Sequence, residues 1–111
     1  MADHEFPEPD ELRMDARRDF AEFYRQASTA DAMLMDGLVM AVATLTVGYN
    51  ALSAETDAAT RTQLERMTVQ AEAEFIHLRD EVRECPTFRR VSPGMQLLIE
   101  RTLFEVKVPE A

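Results

Sequence analysis
The run from Met33 to Leu52, MLMDGLVMAVATLTVGYNAL, carries a single charge, Asp36, and constrains the fold more than any other stretch. Read as a helix it has no polar face, and a helix that is apolar all round must be buried all round. Leu34, Leu38, Val42 and Leu45 share one side, Met33, Met40 and Val47 lie on others, and Gly37, Ala41, Thr44 and Gly48 form a track of small residues. Such a track lets a neighbouring backbone come close, while flexible methionines fill the remaining gaps. Thr29 is the expected N-cap, with Asp31 in the first turn where the positive end of the helix favours a carboxylate.

Two other readings of this run are weaker. A membrane span needs about 20 predominantly apolar residues, whereas the uninterrupted part here extends only from Gly37 to Gly48, between acidic flanks. The alternating stretch Val42 to Val47 could form a strand, but no other segment offers a partner strand of similar quality.

The rest of the chain reads as helices that cover the run. Residues 1–8 form an acidic extended tail with Pro7, and residues 9–111 form a single helical domain. Leu12, Ala16, Phe20, Phe23, Tyr24 and Ala27 recur at helical spacing, with Asp15, Arg18, Asp19, Glu22 and Arg25 on the solvated side. After a cap at Ser53 or Thr56 comes the longest helix. Its main stripe is Leu64, Met67, Ala71, Phe75, Leu78, Val82 and Cys85, and a second patch, Val69, Ala73 and Ile76, faces elsewhere.

Pro86 stops this helix, residues 87–91 form a link, and Ser92 followed by Pro93 opens the last one. There, Met95, Leu98, Ile99, Thr102 and Val106 make one apolar face, and Leu97, Phe104 and Val108 make another. The expected fold is all-α: a four-helix bundle-like domain with helices at about 9–27, 30–52, 56–84 and 93–107. Three neighbours cannot enclose a fully apolar helix while carrying surplus apolar patches of their own. The bundle is therefore expected to be completed by oligomerisation, a homodimer or higher, with Val69, Ala73, Ile76, Leu97, Phe104 and Val108 at the interface.

Charge narrows the partners. The net charge of −9 is concentrated early: residues 1–55 hold 11 acidic against 4 basic residues. A nucleic-acid binder that neutralises phosphates needs a basic face, which is missing. Cys85 is the only cysteine, which excludes an intrachain disulfide and fits a cytoplasmic location. No basic segment leads into an apolar run at the start, so no targeting peptide is expected.

Catalytic signals are sparse. The strongest chemical pattern is Glu74-x-x-His77-x-x-x-Glu81, which puts two carboxylates and an imidazole on one helix face. Helical bundles present Glu-x-x-His to iron, manganese or zinc, so this trio is the candidate site for a divalent metal. A di-metal centre would need a second copy of the motif, from a symmetric partner, and an inward carboxylate, for which Asp36 is the choice because Glu22 points away from its own apolar face. Without a metal, the trio is a solvated polar face. Asp36 itself either reaches solvent or pairs with an arginine across an interface. Cys85 has no histidine at local spacing and reads as a core residue.

The sequence thus points to a non-enzymatic interaction or assembly module, an adaptor, accessory subunit or structural component. Its expected partners are itself and another protein, with no nucleic acid, no membrane span and no required cofactor. The alternatives are a small metal-binding bundle and an acidic inhibitor or nucleic-acid mimic.

Overall fold
The computed structural model describes residues 9–106, and all regular structure within them is helical. The elements are α1 (Pro9–Asp19), α2 (Ala21–Gln26), α3 (Thr29–Ala54), α4 (Ala58–Glu84), α5 (Pro86–Arg90) and α6 (Pro93–Ile99), which runs on into a π-helical turn, Glu100–Phe104. The tail at residues 1–8 lies outside the described residues.

Two long antiparallel helices, α3 and α4, form the frame. Their packing is closest at the two glycines of α3. A Cβ placed on Gly48 would lie 2.9 Å from the Thr68 hydroxyl oxygen, and one on Gly37 would meet Leu78 at 3.3 Å. The small track therefore lets α4 approach, as its spacing predicts. At the hairpin, Arg61 donates to the Leu52 carbonyl at 2.6 Å, satisfying one of the free carbonyls that end α3. Asp57 caps α4 by accepting from the Thr60 N–H at 2.9 Å, in place of Ser53 or Thr56. At the other end of α3, Ser28 is the N-cap and accepts from the Asp31 N–H at 3.1 Å, one residue earlier than Thr29.

Helices α1 and α2 replace the continuous first helix. The backbone leaves helical geometry at Phe20, and both Phe20 and Phe23 are buried beyond the break. Phe23, Met35, Leu38, Leu45, Phe75 and Ile99 are fully buried and join four helices in one core.

The segment 87–91 is not a bare link. Pro86 starts the short helix α5, which buries Thr87 and Phe88. Asp31, itself buried, accepts from the Thr87 hydroxyl at 2.6 Å and from the Thr87 N–H at 3.3 Å. One carboxylate thus ties the start of α3 to the start of α5 and satisfies a buried threonine.

Two expectations about burial change. First, α3 is not covered all round: Met35, Leu38, Ala41 and Leu45 are buried, but Met33 is 67% exposed. Met67, expected in the core stripe of α4, is 49% exposed. Second, Phe104 does not belong to an outer face. It is buried at 6% exposure, packs on Phe88 at 5.3 Å between ring centroids, and lies under the Arg83 guanidinium. The cause is the π turn, where the Glu105 N–H donates to the Glu100 carbonyl. In an α-helix Leu103 and Phe104 would point about 100° apart. The wider turn rotates less per residue, so both side chains reach the core.

Replacing Asp31 with Ala should cost about 2 to 4 kcal/mol in a denaturant melt, because Thr87 loses two bonds to a charged group and is left buried without partners. Glu74→Ala, at an exposed position, should stay within about 0.5 kcal/mol in the same measurement.

Candidate functional site
Glu74, His77 and Glu81 are all exposed on α4. Among the described residues no three His, Cys, Asp or Glu side chains come together in a way that could hold a metal ion. Asp36, the carboxylate expected to complete a metal centre, is engaged elsewhere. Its two oxygens accept from the Tyr24 hydroxyl at 2.8 Å and from Arg17 at 3.2 Å, and the same guanidinium sits 5.1 Å from the Tyr24 ring centroid. The arginine that pairs with Asp36 thus comes from α1 of the same chain. Burial, reinforced by the Asp36 carboxylate, pushes the Tyr24 hydroxyl well above its ordinary range.

Two further polar contacts are also ties between helices. Glu22 accepts from the Ser92 N–H and, at 2.6 Å, from the Ser92 hydroxyl, fastening α2 to the cap of α6. These two bonds hold the Glu22 carboxyl below the ordinary 4.5. Glu22, expected on the solvated side of its helix, finds this partner at the start of α6. The Tyr49 hydroxyl donates to Glu72 at 3.1 Å across the α3–α4 seam, and desolvation, with the nearby carboxylate, pushes it up to about 12.

Cys85 is buried, and burial raises its thiol above the ordinary value, which disfavours the reactive thiolate. His77 is exposed on α4, and His4 lies outside the described residues.

What the structure does present is apolar surface. Val69 is 61% exposed, Ile76 41% and Leu97 45%, and Ala73 is exposed beside the first two. Leu98, expected to face inward, is 39% exposed. Val108 lies outside the described residues. A separate apolar strip runs along α3, where Met33, Met40 and Val47 recur every seven residues. Two hollows border it: one of about 250 Å³ against Arg13, Met33 and Met40, and one of about 70 Å³ against Val47, Leu64 and Met67. Sequence reasoning saw these three residues only as parts of a buried helix. Their seven-residue repeat was the available signal. Comparison with protein-family models, curated proteins and solved structures finds no match for this chain.

Two titrations test the polar ties. A carboxyl held low in the folded state contributes stability that is present above its unfolded value and lost as the pH falls through its folded value. Glu22→Gln should therefore flatten the loss of stability below about pH 4.5 that the parent protein shows in acid melts. At the alkaline end both tyrosines stay protonated when folded, so their contribution is present below about pH 10 and lost above it. Ultraviolet absorbance should show no tyrosinate at pH 10 in the native protein and a large signal on adding denaturant.

Proposed function
We propose that this chain is a non-enzymatic interaction module: a cytoplasmic, four-helix bundle-like domain that is completed by association with itself and can dock a second protein. The observation that carries this reading is the surplus of exposed apolar side chains on three elements, Met33 on α3, Val69 and Ile76 on α4, and Leu97 and Leu98 on α6, outside a core that is already filled. Patches of this kind mark surfaces that a partner covers. The polar side chains fit the same reading, because Asp31, Asp36 and Glu22 serve as ties between helices.

One helix, α3, is long and apolar enough to cross a membrane by length and composition. Its surroundings favour a protein partner instead. Helix α4 runs along it and exposes Glu65, Arg66, Glu74, Asp80 and Glu81, whose charges would be costly at bilayer depth.

Native mass spectrometry of protein purified without chelator should give a mass that is a multiple of 12.6 kDa, with no stoichiometric metal. A monomer at every concentration tested would overturn self-association. Metal in proportion to subunits, lost on His77→Ala, would overturn the ranking of assembly above metal binding.

A further inference from the structure
We infer that α1 is a releasable strap: it swings away from α3 as a unit about Phe20, while α2 and the core stay in place, and the Arg17–Asp36 pair is the clasp that closes it. This inference stands independently of the self-association proposed above.

The side chains of α1 show how little ties that helix to the rest of the chain. Arg13 pairs with Asp10, and Arg18 pairs with Asp15 and Asp19, all within α1 itself. Among the described residues, only Arg17 forms an ion pair beyond α1, at 3.2 Å to Asp36 on α3, and it also lies over the Tyr24 ring of α2. Half of the Arg17 side chain is exposed, so solvent and salt screen this pair. The apolar hold is equally slight. From residue 10 to residue 19 only Ala16 is buried, Leu12 is half-buried, and Met14 is 72% exposed.

Helix α2, one residue further on, is held far more firmly. Phe23 is fully buried, Glu22 is bonded to Ser92 at the start of α6, and the Tyr24 hydroxyl donates to Asp36 at 2.8 Å. Phe20 separates the two helices. Its φ of −114° and ψ of 38° break the helical path, and it precedes α2 without a side-chain cap. A hinge needs only such a residue at the end of an element, and burial of the Phe20 ring pins the pivot to the core. Asp36 spans the hinge: one carboxylate oxygen holds Tyr24 on the fixed side, and the other holds Arg17 on the moving side. Releasing Arg17 therefore leaves Asp36 with a partner.

What the strap controls is access to the flank of α3. Arg13 on α1 walls the hollow of about 250 Å³ whose other lining is Met33, Asp36, Gly37 and Met40 of α3. With α1 in place this hollow is a recess between two helices; with α1 swung out it joins the open side of α3. An 11-residue helix is too short to keep its hydrogen bonds alone in water, so the released strap unravels. Its amides and its arginines are then open to solvent, while α3 and α4 keep their structure.

The test is hydrogen exchange of the full chain read by peptide mass spectrometry, with limited trypsin digestion beside it. The amides of α1 should exchange at least about 100-fold faster than those in the middle of α3 and α4. Arg17→Ala, at an exposed position, should speed exchange in α1 a further two- to fivefold or so, and ionic strength of about 0.5 M should act in the same direction on the parent protein. Neither should change exchange in α3 or α4. Trypsin should cut first after Arg13, Arg17 or Arg18, before Arg25 of α2 and before any arginine of α4; residues 1–8 hold no lysine or arginine to confuse the assignment. Exchange of α1 at the rate of the core helices, or a first cut within α4, overturns the strap. Exchange in α1 that is unmoved by Arg17→Ala, or that rises equally in every helix, overturns the clasp.

Discussion
The close contact between α3 and α4 is the constraint on which the rest of the structure depends. Gly48 and Gly37 leave α3 without side chains at two points on the face that meets α4, so Thr68 and Leu78 can come against its backbone. Packing at this distance gains dispersion contacts along the whole length of the pair. It also fixes the rotation of α3 about its own axis. Once Gly37 and Gly48 face α4, Leu38 and Leu45 must point into the core, while Met33, Met40 and Val47 must point to the opposite flank. The position of this strip, exposed at Met33 and half-buried at Met40 and Val47, thus follows from the glycine positions.

The shorter elements are held to this frame by carboxylates from the acidic first half of the chain. Asp31 takes the Thr87 hydroxyl and N–H, Asp36 takes Tyr24 and Arg17, and Glu22 takes the Ser92 hydroxyl and N–H. Each joins elements that an apolar core alone would leave free to slide, because hydrophobic burial is not directional. Two of the three lie at or near helix N-termini, where a carboxylate is also favoured by the helix dipole: Asp31 in the first turn of α3 and Glu22 in the first turn of α2. Part of the negative charge that composition presents as mere solubility is therefore structural.

Much of this was legible in the sequence. The helical class, the long apolar helix, the Ser92-Pro93 start of α6 and the small-residue track follow from periodicity and caps, and the structure contains them. The break at Phe20 was not legible, because neither proline nor glycine marks it. Helix α5 was hidden behind Pro86, which ends one helix and begins another, a dual role that only the φ and ψ of Cys85 distinguish. Phe104 was misplaced because a wheel drawn at 3.6 residues per turn cannot anticipate a π turn. The partners of Asp36 and Asp31 were also out of reach, since each bond closes a loop of 12 or more residues that local spacing does not encode.

The exposed trio on α4 shows how one pattern can carry two meanings. Glu74, His77 and Glu81 share a helix flank because spacings of three and four put them there, whatever their use. Metal binding would need further donors from other helices, yet the nearest carboxylate of α3, Asp36, already has two partners on α1 and α2 and faces away from α4. Glu74 and Glu81 stay exposed on α4. From Gly37 to Ala54 α3 carries no charge at all, and the carboxylate just before that stretch, Asp36, is held by Arg17 and Tyr24.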